Sequence, residues 1–185
     1  MLQYDDIQEY RIPGTASGLY DIAKVTWADS DIRVWLNGDF LNEAFTEEER
    51  NEILLSEIAT PDNSTYGTSG GLDTEDWVFF LSIDETEQYF KDNSDRIAEC
   101  NMLEEDVDYI LKVYEDWGWN YKGEDLGQRL NQKQPWWWWL RSPGYFSHNA
   151  ASVYDDGLVG DHGYIVSNGG GVRPALWLNL ESENL

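Results

Sequence analysis

The stretch PWWWWLRSPG, residues 135–144, constrains this chain more than any other feature. Each of its consecutive indoles carries a large apolar ring to bury and a ring N–H to satisfy. A helix would scatter Trp136, Trp137, Trp138 and Trp139 around most of its circumference. A strand sorts them by face, because side chains alternate across it. The spacing therefore predicts a strand sandwiched between layers, with Trp136 and Trp138 on one face and Trp137 and Trp139 on the other. Stacking on a ligand is the competing use of such rings, but aromatic pairs stabilise cores in general, and the core reading is the one adopted. Arg141 follows at the strand end, and Pro143-Gly144 turns the chain out into a loop.

Ahead of this strand the pattern is helical. Ser30 is a cap for a helix reaching about Ala44, with Ile32, Trp35, Leu36 and Phe40 as its apolar stripe. TEEE at 46–49 is a capping box, Thr46 with Glu49, opening a second helix through Ile53, Leu54 and Ile58. TPDNSTYGTSGG, residues 60–71, is a loop by its turn residues. DWVFFLS reads as a short strand and IDETEQYF as a helix with Asp84 as cap. Leu103, Val107, Ile110, Leu111 and Tyr114 mark a longer amphipathic helix stopping near Gly118. Beyond Pro135 helical spacing gives way to short runs punctuated by SPG, DDG, DHG and NGGG. That is strand-and-turn chemistry. Helices first and strands last predict an α+β fold. One domain over 1–185 is expected, with 1–24 an atypical N-terminal segment, 100–134 a helical insertion and 135–180 a β-rich unit.

Charge narrows the function classes. With 12 Lys and Arg against 36 Asp and Glu, the formal net charge is -24. Nucleic acid, which needs a basic patch, is excluded as a partner, and anionic membrane surfaces are disfavoured for the same reason. No stretch reaches the length of a membrane span, and MLQYDDIQEY lacks the basic and apolar regions of a signal peptide. Cytoplasm, virion and part of a surface protein all remain open as locations. The single cysteine, Cys100, permits no intrachain disulfide and reads as a small buried or half-buried side chain.

WWWLRSPG, AASVYDDG and GGVRPALWLNL together resemble the C-terminal signature of the DUF6273 family. Upstream, VTWADSDIRVWLNGDFLNEAFTEEER and YGTSGGLDTEDWVFFLSIDE resemble that family's motif order, so the resemblance runs from Val25 to Leu180. It implies a C-type-lectin-like fold, the group that includes formylglycine-generating enzymes and the variable proteins of diversity-generating retroelements. It also makes GVRPAL a terminal core strand, with Arg173 buried and paired to an acid. The sequence departs from the family in having only about two dozen residues before Val25 and a longer, more helical stretch from Cys100 to Gln134. The tripeptides of calcium-dependent sugar binding are absent. One cysteine is too few for a formylglycine-type oxidase, and His148 and His162 form no zinc motif. No metal and no cofactor are expected.

Residues 144–171, GYFSHNAASVYDDGLVGDHGYIVSNGGG, contain no Glu, Gln, Lys, Trp or Met, although the rest of the chain is rich in Glu and Trp. Randomised adenines in an asparagine codon produce the same restriction, and so does the ordinary bias of strand-turn segments toward Gly, Ser, Asn, Asp and Tyr. Either origin predicts one recognition surface built from Tyr145, Phe146, His148, Asn149, Tyr154, Asp155, Asp156, His162, Tyr164 and Asn168. Ala150, Ala151, Val153 and Val166 are the expected core fillers. Trp137, Trp139, Arg141 and Arg173 form the supporting frame. The expected function is a non-enzymatic module binding a protein or glycan. A structural or assembly role in a phage or cell-surface protein is the alternative. An enzyme on the same fold is the third reading, for which no catalytic constellation appears.

Overall fold

The computed structural model describes residues 2–3, 24–99 and 134–181. Its elements in chain order are β1 (Leu2–Gln3), α1 (Asp31–Trp35), a π-helical turn (Leu36–Phe40), α2 (Leu41–Ala44), α3 (Glu47–Glu52), β2 (Ser56–Ile58), β3 (Thr74–Asp76), α4 (Ile83–Tyr89), α5 (Asn93–Arg96), β4 (Trp138–Pro143), β5 (Asn149–Val153), β6 (Val159–Ile165) and β7 (Gly169–Gly170). The architecture is mixed α and β. Among the described residues β1 pairs with β7, β2 with β3, and β4-β5-β6 form a ladder, all antiparallel. The expected helix around 103–118, Cys100 and the 101–133 part of the expected insertion lie outside the described residues.

Ser30 caps α1, its hydroxyl accepting from the Arg33 amide at 3.4 Å, and the stripe buries Ile32 and Leu36. The helix is not uniform, because it widens into the π-helical turn at Leu36–Phe40. Asn37 sits in that turn. Its side chain accepts from the amides of Trp77 (2.8 Å) and Val78 (3.1 Å) and donates to the Val78 carbonyl (2.8 Å). One side chain thus pairs with the chain as a neighbouring strand would. Beside it, the fully buried Asp76 carboxylate accepts from Trp27 Nε1 (2.9 Å), Thr74 Oγ1 (2.6 Å) and Arg33 Nε (2.7 Å). A buried charge persists only when so surrounded by donors.

Several expected elements differ. The capping box of Thr46 and Glu49 is present, but α3 ends at Glu52. Ile53 bridges to Leu178, and Ile58 closes β2 against Thr74. Tertiary pairing overrides the helical spacing, because α3 is polar throughout and buries nothing that would extend it. In DWVFFLS only Asp76 belongs to a strand. Val78, Phe79, Phe80 and Leu81 are buried but meet their neighbours singly, Phe79 with Ala175 and the Leu81 carbonyl with the Arg141 amide. The cap of α4 is Ser82, not Asp84; Ser82 and Glu85 complete a capping box. GVRPAL is no continuous strand: Gly171 bridges Trp138 and Ala175 bridges Phe79, with donor-less Pro174 between.

The tryptophan strand is present but shifted: β4 begins at Trp138, so Trp136 and Trp137 precede it, and it continues past Arg141 to Pro143 rather than ending at the arginine. Trp137 and Trp139 share a side, their rings edge to face at 4.7 Å, as alternation requires. Trp138 turns the other way and donates Nε1 to the Arg96 carbonyl at 3.0 Å. β4 is bordered on one edge by β5 and on the other by Gly171 and Leu81. Trp138, Trp139 and Leu140 therefore lie at the centre of a core shared with Trp27, Leu36, Val78, Phe79, Phe80, Val153 and Val166. Gly170 belongs to this packing, since a Cβ there would stand 2.5 Å from both Trp137 and Trp139.

Arg141 is the buried clamp. Its guanidinium donates to the Phe80 carbonyl (2.7 Å), twice to the Ala59 carbonyl (2.8 and 3.1 Å), and to both carboxylate oxygens of Glu85. Burial opposes the Glu85 charge, but hydrogen bonds from Arg141 and Ser82 outweigh it and hold the carboxyl below its ordinary pKa. The acid-paired arginine expected at Arg173 is thus found at Arg141. Arg173 is only half-buried. It lies over the rings of Phe90 (4.6 Å) and Trp138 (4.9 Å), donates to the Arg96 carbonyl (3.1 Å), and pairs with no carboxylate among the described residues. Aromatic faces replace the acid because Trp138 turns its ring toward this position.

Candidate functional site

Three segments converge where the β4–β5 loop leaves the ladder. The first is the loop over 60–71. Asn63, buried at 3 % exposure, holds it in place: Nδ2 donates to the carbonyls of Pro143 (2.8 Å) and Asp161 (2.9 Å), and Oδ1 accepts from the amides of Thr65 (3.0 Å) and Tyr66 (3.1 Å). Those bonds use the full capacity of the carboxamide. Thr65 Oγ1 adds a bond to the Asp161 carboxylate (2.8 Å) and Thr68 Oγ1 one to the Tyr145 carbonyl (2.8 Å). The loop cannot shift without breaking them, and it delivers Tyr66 to the surface.

The second segment is Gly144–His148, a tight excursion closed by the Gly144 amide on the Asn149 carbonyl and the Asn149 amide on that of Phe146. The third is a bulge in β6. β5 advances from Ala150 to Ser152 while β6 runs from Tyr164 to Gly160, so Asp161–Gly163 leave the ladder. Gly163 permits this with φ of 67°, and a Cβ would meet the Ala150 carbonyl oxygen at 2.0 Å. Bulges re-aim side chains in this way. Here the result is that His162 stacks on Tyr145.

The rings form one connected cluster. Tyr145 and His162 are parallel at 5.1 Å, and Phe146 and His148 are parallel at 5.3 Å. Tyr145 meets Phe146 edge to face at 4.3 Å, and Tyr66 meets Tyr145 edge to face at 4.8 Å. Packing in the cluster, and then the Asp161 charge, raises the Tyr66 phenol above its ordinary pKa. Partial burial lowers that of His148 and so favours its neutral form. The cluster stays open to solvent, with Tyr66 37 %, Tyr145 43 % and Phe146 50 % exposed. Its chemistry is that of ring faces, phenol and imidazole hydrogen-bonding groups and one adjacent carboxylate.

The ten residues expected on a single surface separate into groups. Tyr145, Phe146, His148 and His162 come together as described. Asn149 does not join them: it is buried, its Nδ2 reaches the His162 carbonyl only at 3.5 Å, and its Oδ1 has no hydrogen-bond partner. It is the first residue of β5, a strand buried along its whole length. Tyr154 and Tyr164 are half-buried. Tyr164 packs on Trp137 at 4.7 Å and belongs to the layer over the tryptophan strand; Tyr154 lies 6.0 Å from Tyr164 and near enough to Tyr66 to contribute to raising its phenol. Asp155 and Asp156 are exposed in the β5–β6 turn, at the opposite end of that hairpin from the Asn149–Ile165 pair. Asn168 is half-buried in the turn after β6. Ala150, Ala151, Val153 and Val166 are buried, as their composition suggested. Tyr66, Asn63, Thr65 and Asp161 were missed. The turn-forming DNST of the loop was the available signal, since Asn side chains hydrogen-bond backbone two residues on, as Asn63 does to Thr65.

Among the described residues no group of three or more His, Cys, Asp or Glu is placed to hold a metal ion, and no helix is long and apolar enough to cross a membrane. The closest hydrogen-bonding approach of a His162 ring nitrogen is to the Gly163 carbonyl at 3.4 Å. Neither the curated proteins nor the solved structures contain a match to the chain. One family model does match, that of a domain of unknown function, over residues 7–180. The chain therefore belongs to the DUF6273 family.

Proposed function

We propose that this domain is a non-enzymatic recognition module, a lectin-like scaffold that presents the cluster of Tyr66, Tyr145, Phe146, His148 and His162 to a protein or glycan ligand. The observation that supports this reading is the exposure of connected rings on a rigid base. Tyr145 and Phe146 stay open to solvent while the loop beneath them is tied down by a fully bonded buried Asn63. Aromatic contact groups held with little freedom to lose dominate recognition hot spots. The segment bearing them is also the one with the restricted composition, so sequence diversification of this surface belongs to the same proposal. The test is a screen of the full chain against glycan and peptide arrays, repeated with Tyr145→Ala combined with Phe146→Ala. Signals should vanish in the double variant at an unchanged Tm. Ligands bound equally by both proteins would overturn the reading.

A further inference from the structure

We propose, resting on the recognition reading above, that the ligand is an arginine-rich segment of a basic protein, its guanidinium groups lying on the rings of Tyr66, Tyr145, Phe146 and His162 beside the Asp161 carboxylate. Three observations converge on this class. The chain carries a net charge of -24, and a surface in so negative a field concentrates cations and repels anions. The segment 144–171 contributes no Lys or Arg, and the ring cluster adjoins a carboxylate, Asp161, that already raises the Tyr66 phenol. The cluster offers exposed aromatic faces, which attract cations through the ring quadrupole and accept the planar guanidinium by stacking.

Among the described residues no arginine is placed on the ring cluster. The described arginines Arg33, Arg50, Arg96, Arg141 and Arg173 all donate to backbone carbonyls outside the cluster. One exposed lysine, Lys24, stands at the rim, where the neighbouring Val25 amide donates to the Ser147 carbonyl. It is a single charge, next in the chain to the residue that bonds Ser147. A neutral glycan would use the same ring faces with no need of the surrounding charge, which the cationic ligand alone exploits.

The test titrates the full chain with a hexa-arginine peptide, following backbone amides by NMR and affinity by calorimetry, with hexa-lysine and hexa-glutamate peptides as references. Shifts are expected at Tyr66, Tyr145, Phe146 and His162, with hexa-arginine bound more tightly than hexa-lysine and hexa-glutamate not at all. Tyr145→Ala with Phe146→Ala should weaken hexa-arginine binding roughly tenfold. Asp161→Asn should weaken it about threefold. Glu47→Gln on α3, the same charge change at a remote site, should leave it unaltered. Equal affinity across all variants would mean diffuse attraction by net charge, and absent shifts would mean no cationic site; either result overturns the inference. Ring-dependent binding of a neutral oligosaccharide that is indifferent to Asp161→Asn would also overturn it while leaving the recognition reading intact. Ring-independent binding of both ligand classes would remove both.

Discussion

Arg141 shows how much of this fold hangs on single polar side chains. Its fork ties the Phe80 and Ala59 carbonyls to Glu85, so residue 59 and the stretch 80–85 are both joined to β4 at one guanidinium. Arg141→Ala strands these acceptors and should cost about 3 kcal/mol, read as a fall in Tm. Arg141→Lys should rescue little, because an ammonium cannot reproduce the planar fork. Glu85 adds a pH signature. Its folded pKa lies below the ordinary 4.5, so its stabilisation is complete above that value and is lost as pH falls through the folded pKa. Acid unfolding followed from pH 6 downward should therefore be shallower in Glu85→Gln; an unchanged slope would show that the pair contributes nothing in this window. The arginine was legible in the sequence only as a residue following the tryptophans, and was expected at the end of a strand that in fact runs on to Pro143. Its acid was not, since a carboxylate on α4 gives no local sign of a partner beyond the capping box it also completes.

Elements were legible where local chemistry decides them. Ser30, the Thr46–Glu49 box, the loop over 60–71 and the shared face of Trp137 and Trp139 were all readable, because caps, turns and side-chain period act within a few residues. Ile53, Ile58 and the Val78–Leu81 run were misread, because their partners Leu178, Thr74, Ala175 and Arg141 are fixed by pairing across the molecule. The candidate site divides the same way. Tyr145, Phe146, His148 and His162 stood out by type, whereas Tyr66 enters only because Asn63 docks its loop on Pro143 and Asp161. That docking is testable as a unit. Asn63→Ala leaves two carbonyls and two amides unpaired and should cost roughly 1–3 kcal/mol. Amide exchange at Thr65 and Tyr66 should accelerate more than exchange in β5, and uniform acceleration would argue that the loop is no separate unit.

At the scale of the molecule the excess of acids acts against compactness. A formal charge of -24 on 185 residues repels itself in the folded state more than in the expanded one. Raising NaCl from about 0.02 M to about 0.5 M should therefore raise Tm, since screening reaches well inside the spacing of surface charges. A fall would mean that exposed ion pairs outweigh the repulsion. The order in which the chain can be completed follows from the strip between Gly171 and Leu178, which touches Trp138, Phe79 and Ile53 in turn. Each of those three neighbours is synthesised earlier and lies in a different part of the core. On the ribosome, Phe79 and Trp138 must wait with an open edge until this strip clears the exit tunnel. A nascent chain stalled before Gly171 would then hold its most aromatic surface uncovered, a state in which chaperone capture and aggregation compete with folding.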